Sequence, residues 1–394
     1  MISKDMLGLG TQRSVIREIA GYGAKRKQEI DPADVLDFSI GNPNVPAPAE
    51  VTEAILDIVK GNSPVVYNSY SASAGFDSTR AAIARNLNER FGTDYGKEDL
   101  YMTCGAAASL CITLQAVVSS EDDEVIVFAP FFPEYKVFIE SRGARMTLIP
   151  ATDDFQIHSE DLLKAINKNT KAVIINSPNN PSGVVYSEET IQTLARVLKG
   201  KSEEYGHPIW LISDEPYREL VFNDVEVPFV PNYYDNTLIC YSWSKSLSLP
   251  GERIGYILVP KKATDHQSVM AAVGGAGRAL GFVCAPSLFQ MVIERCVDVR
   301  PDLTVYETNR NLLAEGLEKA GYDFAKPDGA FYMFIKSPFA GGGQELHERA
   351  KARDVLVVPG EAFGARDYVR LSYCTSTESI KKAIPILEEL IREK

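Results

Sequence analysis

Five short runs rich in valine and isoleucine recur through the middle of the chain, and they constrain the fold more than any other feature. They are EVIVFA (124–129), KAVIIN (171–176), PIWLIS (208–213), TLICYS (237–242) and RIGYILV (253–259). Continuous apolar runs of this length suit strands buried on both faces, as in a parallel sheet covered by helices. Between them, ASLCITLQAVV (108–118) and SEETIQTLARVLKG (187–200) read as amphipathic helices, the second with Ser187 as its N-cap. The alternation predicts an α/β fold, a mostly parallel sheet with helices on its faces. From about Pro286 the texture changes to a helical pattern over 300–321, strand-like segments at 330–335, 355–360 and 368–373, and a closing helix over 377–394. These predict a smaller α+β domain over 286–394, a large domain over 48–285, and an N-terminal segment, 1–47, that joins the small domain. A length of 394 residues fits two domains at roughly 100–200 residues each.

Composition excludes several classes of function. With 41 basic and 53 acidic residues the formal charge is −12, so nucleic acid is a poor partner. No apolar stretch approaches the roughly 18 residues of a membrane-spanning helix. The opening MISKDMLGLGTQRS lacks the features of a secretory signal. Six cysteines without a C-x-x-C pair suit reduced thiols, and a cytoplasmic protein is expected. The four histidines have no ligand spacing, so no metal site is expected. GGAGRALG (274–281) lacks the spacing of a dinucleotide fingerprint, and neither a P-loop nor a G-x-S-x-G elbow occurs.

Ligands of open parallel sheets sit beyond the carboxyl ends of the strands. After 171–176 comes SPNNPSG with Asn180; after 208–213 comes DEPYREL with Asp214 and Tyr217; after 237–242 comes SWSKSLSLPGER, which brings Ser242, Lys245 and Arg253. An acid, an amine and phosphate ligands on one edge point to a phosphorylated cofactor bound covalently through the amine. Each residue also has an ordinary reading. Asp214 can cap a helix, NNPSG can be a turn, Lys245 can be a surface lysine, and Phe131 or Phe132 in APFFPEY (129–135) can be plain core. Arg370, inside the apolar YVRLSY, needs an anion if it points inward, because an unpaired buried charge is costly.

NNPSG, DEPY and SWSK with Arg253 eight residues on, in this order along the chain, resemble the signatures of the class I/II pyridoxal-phosphate aminotransferases of fold type I, the aspartate aminotransferase family. The resemblance runs from DFSIGNP (37–43) to YVRLSY. It implies that pyridoxal 5'-phosphate is the cofactor, that Lys245 binds its aldehyde and shuttles the substrate proton, and that Asp214 pairs with the ring nitrogen. It further implies that Asn180 and Tyr217 hydrogen-bond the ring oxygen and that Phe132 packs on the ring. In the same way Ser242, Arg253 and the backbone of Gly105, Ala106 and Ala107 in TCGAAASL would hold the phosphate, a helix N-terminus being a natural anion site. Arg370, Gly41 and Asn180 would bind the substrate α-carboxylate. Tyr70, in YSASAGFDSTR, would reach the phosphate of a neighbouring subunit, which implies a homodimer with shared active sites. Arg278, in GGAGRALGF, lies near the place of an arginine for a distal carboxylate. Ala107, where some aspartate-specific relatives carry lysine, and Phe132, where many carry tryptophan, depart from the pattern.

The expected activity is transfer of an amino group between an L-amino acid, aspartate- or glutamate-like by preference, and a 2-oxo acid. A β-lyase or decarboxylase of the same fold is the alternative. A ligand sensor of this fold would carry an added DNA-binding domain, for which the roughly 35 residues before Asp37 are too few and the chain too acidic.

Overall fold

The computed structural model describes residues 2–11 and 14–394. Twelve strands are present among them: β1 (Leu36–Asp37), β2 (Leu100–Thr103), β3 (Glu124–Phe128), β4 (Arg145–Ile149), β5 (Thr170–Asn176), β6 (Trp210–Asp214), β7 (Thr237–Ser242), β8 (Gly255–Leu258), β9 (Tyr332–Lys336), β10 (Val355–Leu356), β11 (Val358–Pro359) and β12 (Tyr368–Ser372). Seven form one sheet in the order β2-β8-β7-β6-β5-β3-β4. Its central strands β5, β6 and β7 are buried almost throughout, as their unbroken apolar runs require.

The order reverses between β3 and β5. The chain goes from β3 to β4 at one edge, then returns to β5 on the other side of β3 and continues away. That switch opens a crevice at the carboxyl ends of β3 and β5. Two strands of this sheet were not foreseen. β2 is only four residues long, and β4 is an edge strand in which only Ile149 of RMTLI is buried.

The run 253–259 does form a strand, but β8 lies antiparallel to both β7 and β2, a correction to the parallel expectation. The connection 243–254 holds only the one-turn helix Trp243–Ser246, so the chain turns back instead of crossing over the sheet. The reversal has a consequence for the site. The start of β8 lies beside the ends of β7 and β2, with Gly255 opposite both Ser242 and Thr103, and Arg253 just before it reaches the same edge.

The helix over Glu188–Tyr205 starts as expected, with the Ser187 hydroxyl accepting from the Thr190 N–H at 3.1 Å. It runs past 200 because KSEEY continues the pattern, and it ends at Gly206 with φ +73°. The helix expected at 108–118 begins two residues earlier, at Ala106.

In the C-terminal part, β11, β12 and β9 form a separate antiparallel sheet. The segment 355–360 splits into two strands. β10 pairs parallel with β1, and β11 pairs with β12. Leu36 and Phe38, beside β1, share one core with Tyr306, Leu313, Leu371 and Leu387. The last helix, Thr377–Arg392, buries Ile380, Ala383, Leu387 and Leu390 on one stripe against helix Thr304–Ala320. Each buried leucine or isoleucine contributes roughly 1.5–3 kcal/mol.

The edge where β8, β7 and β2 meet is tightly packed. A Cβ on Gly255 would stand 2.3 Å from the Tyr241 carbonyl oxygen and 3.0 Å from the Gly105 Cα. Both neighbours are backbone and have nowhere to go. Gly255→Ala is therefore expected to lower unfolding stability by about 1–3 kcal/mol through overpacking, read as a lower urea midpoint. An unchanged midpoint would show that the edge gives way freely.

Candidate active site

The carboxyl edge of the large sheet holds a cavity of about 270 Å³. It brings together Gly41, Ala106, Ala107, Phe132, Asn180, Asp214, Tyr217, Ser242, Lys245, Arg253 and Arg370. Gly105 stands directly behind the Arg253 guanidinium, and its φ of +85° starts helix Ala106–Val117. Two of the residues picked from sequence lie elsewhere. Tyr70 is 84% exposed and Arg278 is an exposed residue of helix His266–Ala279, both away from this cavity within the single chain.

Asp214 ends β6 and is buried. One carboxylate oxygen accepts a 2.6 Å hydrogen bond from the Tyr135 hydroxyl, and the other has no partner. Burial pushes this carboxyl up to about 7, against the Tyr135 hydrogen bond and with help from Glu215. Tyr135 was not recognised from sequence, where APFFPEY was read for its phenylalanines alone.

Lys245 sits on the one-turn helix after β7, and its Nζ donates to the Gly41 carbonyl oxygen at 2.7 Å. Burial lowers its ammonium to about 8; Arg253 and Arg370 push the same way and Cys374 opposes. The lysine therefore reaches its neutral, nucleophilic form near physiological pH.

At one end of the cavity, Arg253 has φ +52° and donates to the Pro250 carbonyl oxygen at 2.9 Å. No carboxylate lies within ion-pair distance among the described residues. The first backbone N–H groups of helix Ala106–Val117 open beside it. Ser242 lines the space, and its hydroxyl also holds the turn that follows β7. It accepts from the Ser244 N–H at 3.2 Å as a helix cap and lies 3.2 Å from the Ile254 carbonyl oxygen. Ser244, missed in the sequence, lines the cavity, with its hydroxyl 2.7 Å from that of Ser242.

At the other end, Arg370 on β12 is 2% exposed, and no carboxylate pairs with it among the described residues. Its Nη1 donates to Asn180 Oδ1 at 3.0 Å, its Nη2 donates to the Ser39 carbonyl oxygen at 2.5 Å, and its Nε is unpartnered. Burial pushes this guanidinium below its ordinary value and makes it a stronger acid, as it must for a cation without an anion. Tyr332 also went unrecognised. It lines the cavity, its hydroxyl lies 2.9 Å from the Tyr217 hydroxyl, and a Cβ on Gly41 would meet that oxygen at 1.9 Å. The strand-like segment 330–335 gave no sign of which side chain faced inward.

Three cations and one carboxylate thus surround one space, with an aromatic ring, Phe132, beside it. Residues 33–387 match the family described as aminotransferase class I and II. The chain belongs to that family. A solved structure of an aminotransferase from Eubacterium rectale is 51% identical, with TM-score 0.98 over 100% of this chain and 99% of that one. A probable aspartate/prephenate aminotransferase of Aquifex aeolicus is 31% identical over 376 residues, 91% of this chain and 92% of its own. An aspartate aminotransferase of Thermotoga maritima is 30% identical over 369 residues, 92% of both. These relatives favour amino-group transfer over β-elimination or decarboxylation, and the protein is an aminotransferase.

The aminotransferase site fits a planar, phosphorylated heteroaromatic cofactor. The orphan Asp214 oxygen calls for an N–H donor, Arg253 beside a helix N-terminus calls for an anion, and the Lys245 amine lines the same cavity. The Asp214 titration is itself testable. In the cofactor-free protein the folded carboxyl binds its proton more tightly than the unfolded one, so its contribution to stability is complete below about pH 4 and is lost as pH rises through about 7. Between pH 4 and 8, urea unfolding of the cofactor-free wild type is expected to lose up to about 4 kcal/mol relative to Asp214→Asn. Parallel curves for the two proteins would disprove the raised carboxyl.

Proposed function

We propose that this aminotransferase moves an amino group between an L-amino acid, aspartate- or glutamate-like by preference, and a 2-oxo acid, using pyridoxal 5'-phosphate held at Lys245. The observation that carries this reading is Arg370, a buried guanidinium without a counter-anion, facing the same cavity as a lysine lowered to about 8 and a half-satisfied carboxylate. A substrate α-carboxylate supplies the missing anion by a bidentate pair. When bound, the cofactor supplies an aldehyde to which amino groups condense and a ring that accepts the electron pair left when the substrate Cα loses its proton.

The chain's own residues do the rest. Lys245, uncharged in an appreciable fraction near pH 8, first holds the cofactor and, once displaced by the substrate amine, carries the proton away from and back to the reacting carbons. Asp214 would hold the ring nitrogen protonated, and beside that cation its carboxylate would be charged. Asn180 commits its Oδ1 to Arg370, which leaves the amide N–H groups as donors for the ring oxygen, and Tyr217 adds a second donor. Phe132 covers the ring. Arg253, Ser244 or Ser242, and the backbone of Gly105, Ala106 and Ala107 take the phosphate. Arg370 and the Gly41 backbone fix the carboxylate and hence the orientation of the substrate Cα.

We also propose a homodimer with shared sites and a cytoplasmic location. In support, Tyr70 is 84% exposed among Val65, at 72%, and Val66, at 49%, a surface that a second copy of this chain would cover. Tyr70 would then reach the neighbour's phosphate and Arg278 the neighbour's substrate. All six cysteines are free thiols, as a reducing compartment requires. No helix among the described residues is long and apolar enough to cross a membrane.

Lys245→Ala is expected to cut kcat by about a thousandfold or more and to remove the absorption band of covalently held cofactor. Arg370→Ala is expected to lower kcat/KM about 10²–10³-fold, mainly through KM. A Lys245→Ala enzyme that still transaminates at the wild-type rate would sink the proposal. Sedimentation should give a dimer, and Arg278→Ala should depress turnover of aspartate about tenfold or more while leaving alanine unaffected. Equal turnover of both would remove the distal-carboxylate role.

A further inference from the structure

Tyr332 has no role in the reading above, yet it touches both halves of the site. It lies on β9, and in the β9–β12 pairing Ser372 stands opposite Tyr332 and Phe334 opposite Arg370. Tyr332 and Arg370 are therefore diagonal neighbours on one face of the small sheet. The Arg370 guanidinium carbon sits 4.7 Å from the centre of the Tyr332 ring and 5.0 Å from that of Phe363, so the cation rests on aromatic faces where a carboxylate would otherwise stand. From the other end of the same ring, the hydroxyl crosses to the large sheet and meets the Tyr217 hydroxyl at 2.9 Å, with the two rings edge to face at 5.7 Å. Gly41 leaves room for this oxygen, since any Cβ there would overlap it.

We infer that Tyr332 is a positioning residue that ties the cofactor-ring donor Tyr217 to the carboxylate clamp Arg370. The inference rests on the proposal that Tyr217 faces the ring oxygen and Arg370 the α-carboxylate. A phenol carries one proton. If Tyr217 directs its proton to the cofactor ring oxygen, the 2.9 Å contact requires Tyr332 to be the donor and Tyr217 the acceptor. Donation into the Tyr217 oxygen makes the Tyr217 O–H a stronger donor. Burial holds both phenols protonated, Tyr332 at about 12 and Tyr217 well above its ordinary value. The hydroxyl thus acts on the cofactor and the ring acts on substrate, and the two roles separate by substitution.

The test uses the loaded enzyme with two readouts, the pH midpoint of the visible absorption band of the bound cofactor and the dissociation constant of succinate, an unreactive carboxylate. Tyr332→Phe keeps the ring and removes the donor. It is expected to raise the pH midpoint, because a weaker Tyr217 hydrogen bond stabilises the deprotonated form less, while holding succinate within about twofold of wild type. In a Tyr217→Phe background the same substitution should move the midpoint no further. Tyr332→Leu removes the ring as well and is expected to weaken succinate, and to raise KM for amino acid, about tenfold. The inference is overturned if Tyr332→Phe leaves the midpoint in place or shifts it equally in both backgrounds, or if soluble Tyr332→Leu enzyme binds succinate like wild type. Should Tyr332→Leu not fold, the midpoint result with Tyr332→Phe decides alone. A Tyr217→Phe enzyme with an unmoved midpoint would instead refute the role proposed for Tyr217, and with it the hydroxyl half of the inference.

Discussion

Two buried ionisable side chains of opposite sign stand in one cavity and do not pair with each other. Asp214 satisfies one oxygen with Tyr135 and leaves the other bare; Arg370 lies on two aromatic rings with amide and carbonyl acceptors but no anion. Unpaired buried charge is costly, so the surrounding fold must supply the stability that holds these groups in place. It does so with strands that are almost wholly buried and with two cores that meet at the cavity. The unmet charge favours ligands that bring a donor to Asp214 and an anion to Arg370.

The separation of the two groups follows from the sheets that carry them. Asp214 ends a parallel strand of the large sheet, whereas Arg370 lies on the small antiparallel sheet, at a register that sets it diagonally from Tyr332. The two sheets are joined at the site by side chains and short backbone contacts: Lys245 to Gly41, Arg370 to Ser39 and Asn180, Tyr332 to Tyr217. Residues 39–41 lie between the sheets and serve both. A small change in the relative setting of the sheets would alter all of these contacts together, Lys245 and Arg370 among them.

Much of this arrangement was legible in the sequence. The apolar runs gave the buried strands because a strand covered on both faces leaves no position for a polar residue. The residues after those runs gave most of the cavity because carboxyl ends of parallel strands converge on one edge. Where the reading fell short, the missing information was non-local. The direction of β8 depends on how a twelve-residue connection folds, and the splitting of 355–360 depends on which two strands compete for its backbone. Tyr135 and Tyr332 are ordinary aromatic residues in apolar surroundings, and only their distances to Asp214 and Tyr217 set them apart. Ser244 is a similar case, because only its place in the cavity beside Ser242, with the two hydroxyls 2.7 Å apart, sets it apart from the other serines of that segment.

By itself the sequence determined the α/β class, the buried strands, the chemical types delivered to their ends and the family to which the chain belongs, because side-chain period and the order of motifs are properties of neighbours along the chain. Tertiary structure decided which of those groups remain without partners. The bare oxygen of Asp214 and the carboxylate-free Arg370 follow from which groups pack beside them, and the raised Asp214 and lowered Lys245 follow from desolvation, which depends on distant parts of the chain. Whether a charged residue is inert or reactive is set by that surrounding matter, and no stretch of sequence around it contains the answer.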